Sequence, residues 1–323
     1  MLDLSIDLHL HLDGSLSLST VKRLAEMQDI SLPEDEIVEG LLTVGEHCAN
    51  LAEYLTKFDF PLSLLQREDA IEEGTYLLCK ELGAEGCIYA EVRFAPQLHT
   101  SEGLTQEQAV KAAIRGFERS GLMGGLILCC MRGADNRAQN LLTVDIGERY
   151  LGKGVLALDL AGNEAGYPTE DFEDIFKLAK DKGVPFTIHA GEADGAESVR
   201  KAVEMGAARI GHGVRSLEDE RVIKLLADKK IPLELCPTSN INTAIFSDIN
   251  EYPVRKLMDK GVTVTVNSDN RSVSATTAER DMSLLKDIFH LTEQEEKQLL
   301  LNSVQAAFCD TETKEKLIKK VSR

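Results

Sequence analysis

Eight short runs of the chain are almost continuously apolar: residues 4–12, 87–94, 125–132, 154–161, 184–190, 208–213, 231–237 and 262–269. Between them apolar positions recur at helical spacing. "TQEQAVKAAIRGFERSG" (105–121) has a capping-type Thr at its start, a helical apolar stripe and a closing Gly. "DFEDIFKLAKDKG" (171–183) and "DERVIKLLADKK" (219–230) repeat that design, with lysines where a helix C-terminus favours cations. Eight strand-then-helix units predict an α/β fold, a (β/α)8 or TIM barrel filling one domain over residues 1–323. A doubly wound sheet is the competing arrangement, but no G-x-G-x-x-G follows any of the runs.

One interval breaks the rhythm. More than seventy residues separate the first run from the second, and "VGEHCANLAEYLTKFDFPLSLLQ" (44–66) has apolar residues at helical intervals. The spacing predicts a helical insertion at about 33–66, on the face where barrels carry their sites. It serves either as a lid that excludes water or as an extra packing helix.

Charge narrows the partners. The 323 residues carry a formal charge of -18, which repels polyanions, so nucleic acid is not expected as a partner. The seven cysteines form no C-x-x-C pair and are odd in number, which suits a reducing compartment rather than a disulfide framework. No stretch approaches the roughly 18 apolar residues of a membrane helix, and the start lacks the pattern of a signal peptide. The expectation is a cytoplasmic protein without membrane contact, a monomer or small homo-oligomer.

The polar residues inside the apolar runs carry the chemistry. In "SIDLHLHLDG" (5–14), His9 and His11 stand two apart and so share one face of a strand, with Leu8, Leu10 and Leu12 on the other. A lone His-x-His is weak as a metal motif. Here, however, His189 in "IHAGE", His212 in "RIGHG" and Asp269 in "NSDN" also fall at strand ends, which a barrel gathers in one mouth. Three His and one Asp suit Zn²⁺ or a similar divalent ion, which lowers the pKa of a bound water toward ~7. Glu192 and His212 beside such a water form an acid/base pair. Taken singly, Glu192 reads as a carboxylate at the start of a helix around 195–205, and His212 as a core histidine. His47, His99 and His290 fall in helical or loop context and read as structural. The fourth strand, "GVLALDLAG", has no lysine that could be carboxylated to bridge two metals, which favours one ion.

"DLHLHLDGSL", "LDLAGNE", "IHAGE", "RIGHG", "CPTSN" and "NSDN" resemble, in order and spacing from residue 7 to 270, the motifs of the adenosine deaminase family. The resemblance implies a (β/α)8 barrel with one Zn²⁺ per chain, hydrolysing adenosine (and 2′-deoxyadenosine) to inosine and ammonia in purine salvage. It implies His9, His11, His189 and Asp269 as zinc ligands and Glu192 as the proton donor to purine N1. His212 orients or deprotonates the attacking water, with Asp269 as a further proton carrier. His11, Asp13, Gly162 and Asn270 contact the purine nucleoside, Asp13 through the ribose and Gly162 through the purine edge. The best-known members carry a second Asp where this chain has Asn270. Its amide can donate to purine N7 at any pH, whereas a carboxylate must first be protonated. Relatives acting on free adenine commonly carry Glu in place of Asp13. Adenine, AMP and N6-substituted adenosines are the alternative substrates, and Arg93, Arg132 and Arg271 at strand ends keep AMP in play. A barrel that has lost catalysis, or a mononuclear hydrolase of amides or lactones, is a further alternative.

Overall fold

Eight parallel strands form in the computed structural model, which describes residues 4–45, 48 and 51–322. They are β1 (Ser5–His11), β2 (Cys87–Phe94), β3 (Gly124–Met131), β4 (Val155–Ala161), β5 (Thr187–Ala190), β6 (Arg209–His212), β7 (Leu233–Leu235) and β8 (Val264–Val266). Consecutive strands pair in parallel within two sets of four, β1 to β4 and β5 to β8. Single bridges join the sets, Leu158 to Phe186 on one side and Leu10 to Asp269 on the other. The second is reciprocal: His11 N–H donates to Asp269 C=O at 2.8 Å and Asp269 N–H to His9 C=O at 2.7 Å. Together with the helices between strands, this is the TIM-barrel architecture that the alternating pattern predicts.

The parity of β1 is as expected. Leu10 joins the main apolar core, while Leu8 packs with Leu300, Val304, Leu317 and Val321 of the two C-terminal helices. The opposite face sends Asp7, His9 and His11 inward, where they meet residues of distant strands. The predicted helices appear at Gln106–Ser120, with a complete capping box at Thr105 and Gln108, at Glu173–Asp181 and at Glu220–Lys229.

Two expectations change in detail. The later strands are shorter than their apolar runs: β8 ends three residues before Asp269, where φ is +60°. The stretch 44–66 is not one helix. Its described part is a short helix (Leu51–Leu55), a 3-10 turn (Thr56–Phe58) and a second short helix (Asp59–Leu64). Pro61 has no N–H to give and so sits in the first turn of the second piece, the one part of a helix that tolerates it. His47 lies outside the described residues.

Candidate active site and metal centre

The two histidines of β1 present Nε2 toward the barrel mouth because other side chains hold their ring orientation or crowd around them. His9 donates from Nδ1 to Glu234 Oε2 at 2.7 Å, and His189 from Nδ1 to Asp159 Oδ2 at 2.9 Å. A carboxylate on Nδ1 fixes the tautomer that leaves Nε2 bare. The Nε2 atoms of His9 and His11 each lie 3.4 Å from Asp269 Oδ1, and His11 Nε2 lies 3.3 Å from His189 Nε2. One atom from each of His9, His11, His189 and Asp269 falls within 4.8 Å of the others.

This set fits a cation. His9 Nε2 is buried without a hydrogen-bond partner. His11 and His189 turn ring nitrogens toward each other, an arrangement that repels when both are bare and that a shared divalent ion makes favourable. Three nitrogens, one oxygen and a place for water match a catalytic zinc-type centre. Asp269 suits the anionic role: burial opposes its charge, but the imidazoles of His9, His212 and His11 around it hold its carboxyl below the ordinary range. Ser239 Oγ occupies Asp269 Oδ2 at 2.5 Å and leaves Oδ1 for the cluster. A second grouping, His9, His212, Cys236 and Asp269, is equally close-packed. It suits a metal less well, because burial pushes the Cys236 thiol far above its usual range and its Sγ donates to Glu234 C=O.

Above the cluster opens a cavity of about 390 Å³, walled by His11, Asp13, Gly162, His189, Glu192, His212, Asp269 and Asn270. Every residue given a catalytic, metal or substrate role from sequence therefore borders one space, except His9. Glu192 Oε2 is 3.6 Å from His212 Nε2. Burial pushes the Glu192 carboxyl well above its ordinary range, and the charges of Asp269 and Glu164 add to that. Burial also drives His212 well below its own range. The pair is thus a neutral acid beside a neutral imidazole. Tyr252 donates to Asn240 Oδ1 at 3.1 Å, which turns the Asn240 amide N–H toward His212 Nδ1, also at 3.1 Å. Nδ1 then accepts and the ring proton sits on Nε2, facing the cavity.

Sharp turns make this convergence possible. His212 and Asp269 adopt φ of +59° and +60°, a region that side-chain-bearing residues rarely enter and that recurs at functional sites. Glu192 does not cap the following helix, which starts at Ala196 behind Gly195. Gly14 is needed for close approach: a Cβ there would lie 2.0 Å from Asn270 Oδ1. Asp13 Oδ1 and Asn270 Oδ1 are both buried and unpaired, at the cavity wall.

The remaining histidines follow the structural reading where they are described. His99 is buried with Nδ1 on Leu65 C=O at 2.8 Å, its ring pushed down to about 4 by burial. His290 ends the helix Ala278–Phe289. Sequence reasoning missed Glu234 behind the ligands, the roles of Ser239 and Asn240 within "CPTSN", and the role of Arg93, which donates to Asp159 and Glu234 at 2.9 Å each. The available signal was a charged residue inside an apolar strand run, as in "YAEVRF" and "PLELC".

Comparison with known proteins shows the family. The adenosine deaminase family profile matches residues 5–323. The chain is 47% identical over 323 residues to an adenosine deaminase of Haemophilus ducreyi, covering 97% of this chain and 94% of the relative. It is 38% identical to an adenosine deaminase of Enterococcus faecalis, covering 98% and 96%. Among solved structures, an adenine deaminase from Arthrobacter aurescens superposes with a TM-score of 0.89 at 26% identity, covering 98% and 97%.

Proposed function

The chain belongs to the adenosine deaminase family, and on that premise we propose that it converts adenosine and 2′-deoxyadenosine to inosine-type products and ammonia, as a step of purine salvage. The observation that carries this reading is the pair Glu192 and His212, 3.6 Å apart and bordering the cavity above the His9, His11, His189 and Asp269 cluster.

One Zn²⁺ per chain would be held by those four residues, and when bound it would lower the pKa of a water there toward ~7. C6 of the purine is a poor electrophile, because attack there breaks aromaticity. Glu192 holds a proton for N1, and its transfer draws electron density from C6. His212, with its Nε2–H facing the cavity, orients the attacking water. The proton that the water releases reaches the departing amine through Asp269, while His212, whose Nε2 already carries a proton, stays the orienting group. Asn270 donates its amide N–H to N7, Asp13 accepts from a ribose hydroxyl, and Gly162 meets the purine edge. The insertion at about 33–66 acts as a lid on a single barrel domain; Leu51, Tyr54, Leu55 and Phe58 already wall the cavity. Equal amide exchange in 51–64 with and without a bound purine riboside removes the lid role.

Support for a nucleoside over a nucleotide comes from the arginines. Arg132 spends its guanidinium on Tyr167 C=O, Thr169 Oγ1 and His189 C=O. Arg271 pairs with Glu85, and Arg93 lies beneath the site. Asp13 and Asp59 put carboxylates on the cavity wall, which repel a phosphate. The chain functions in the cytoplasm as a monomer or small homo-oligomer, with no nucleic-acid or membrane partner; no described helix is long and apolar enough to cross a membrane.

The test is the ultraviolet spectrum of adenosine incubated with the protein, before and after chelation. A shift to the inosine spectrum that vanishes with the metal and returns with added zinc supports the reading. No shift with zinc bound overturns adenosine as substrate and moves the assay to adenine, AMP and N6-substituted purines.

A further inference from the structure

Glu164 is the one acidic residue of "LDLAGNE" left without a part in the chemistry, and it is 1% exposed. Its carboxylate collects five donors. Oε1 accepts from Gly191 N–H at 2.7 Å and Ser198 Oγ at 2.5 Å. Oε2 accepts from the N–H groups of Glu192, Ala193 and Asp194 at 3.0, 2.8 and 3.0 Å. Four successive backbone N–H groups converging on one point make an anion cradle of the kind that often binds a phosphate. Here the chain fills the cradle with its own side chain.

We infer that Glu164 is the positioning residue for the proton donor: it fixes the main chain of Glu192 from below and ties that loop to the loop that carries Gly162. The inference rests on the role proposed for Glu192. Three observations converge on it. Every backbone group it holds belongs to Glu192 or to its neighbours Gly191, Ala193 and Asp194. Gly162 lies two residues before Glu164, so one side chain sets the distance between two cavity walls. The carboxylate also ends a directed relay: Arg132 donates to Thr169 Oγ1 at 3.0 Å, Thr169 pairs with Ser198 at 2.7 Å, and Ser198 donates to Glu164. The same guanidinium holds His189 C=O at 2.6 Å. Guanidinium and carboxylate at opposite ends polarise the hydroxyls between them in one sense.

Charge gives Glu164 a second effect on the same group. The charged or titratable neighbours that bear on the Glu192 carboxyl are Asp269, His212, Glu164 and Arg132. Asp269 and Glu164 disfavour its ionisation and Arg132 favours it. A neutral residue at 164 therefore lets Glu192 lose its proton at lower pH.

The experiment compares wild type with Glu164→Gln for metal content, kcat, KM and the pH profile of kcat/KM with adenosine. The expected result is full zinc loading and a kcat lower by roughly tenfold or more, because backbone donors lose an ionic acceptor. KM changes less than kcat, and the alkaline limb moves to lower pH. A folded, zinc-loaded Glu164→Gln enzyme with wild-type kcat and an unmoved alkaline limb overturns the inference. If that variant does not fold, Ser198→Ala decides: it keeps the carboxylate and removes one donor, and must shift kcat in the same direction by a smaller factor, with no change overturning the role. Glu192→Gln separates the two ideas. If it retains full turnover, the acid role of Glu192 falls; if it is inactive while Glu164→Gln is unaltered, only the positioning role falls.

Discussion

The mouth of the barrel and its interior floor are built from the same residue types and finished in opposite ways. On the floor, Arg93 pairs with Asp159 and Glu234 at 2.9 Å each, and Arg209 pairs with Glu234 at 2.5 Å and Glu91 at 2.6 Å. Thr187 and Tyr89 add hydroxyl donors to Glu234 and Glu91. These charges are at most 1% exposed, and each pairs with an opposite charge, although Arg93 Nε and Glu91 Oε2 make no hydrogen bond. At the mouth, by contrast, His9 Nε2, Asp13 Oδ1 and Asn270 Oδ1 are buried with no partner. Buried polar atoms are almost always paired, so the mouth is a surface completed by something other than the chain. The floor aims the ligands; the mouth receives the ion and the substrate.

That contrast can be broken experimentally, most severely at the mouth. Glu192→Gln is expected to lower kcat by about 10²–10⁴-fold while thermal unfolding and zinc content stay near wild type. In the wild type, kcat/KM should fall as pH rises through the raised pKa of Glu192, since the protonated carboxyl is the active form. A profile flat to high pH contradicts this. On the floor, Arg93→Met leaves two buried carboxylates facing each other, and denaturant titration should show a loss of about 3–5 kcal/mol. A smaller loss means that water reaches the floor. Between the two regions, Glu234→Gln should weaken zinc binding by about 10–100-fold in chelator competition, with Nδ1 of His9 losing its ionic acceptor; an unchanged affinity shows that floor and mouth are uncoupled. An effect of similar size belongs to Asn270→Leu, about 1–3 kcal/mol in kcat/KM for adenosine. If 7-deazaadenosine, which lacks N7, shows the same loss on this substitution as adenosine, the amide acts on something other than N7.

The two regions also differ in how far the sequence revealed them. The mouth was legible because its parts stand at strand ends within short motifs, and because parity in β1 forces His9 and His11 to one side. Those are local properties. The floor was not, because its pairs join residues as far apart as Arg93 and Glu234, 141 positions along the chain. Which strands face each other across the interior follows from closure, and closure here rests on single bridges at Leu158 and Leu10. Local spacing does not encode that. The tautomer of His212 was hidden for the same reason: it depends on Asn240 and Tyr252, on two different segments after β7. The insertion was visible as an interval of abnormal length, but its break into two short helices turned on Pro61, a single residue within an otherwise regular pattern.

The left-handed backbone at His212 and Asp269 has a meaning for the history of such chains. Glycine reaches that conformation without the steric penalty of about 1–2 kcal/mol that other residues meet there. A lineage released from catalysis would thus gain fold stability by exchanging either residue for glycine, and drift should run that way. At both positions this chain keeps the costlier residue, as an enzyme that uses those side chains must. Among barrels of this kind, glycine at either place would be an early sign of a retired enzyme, readable before any assay.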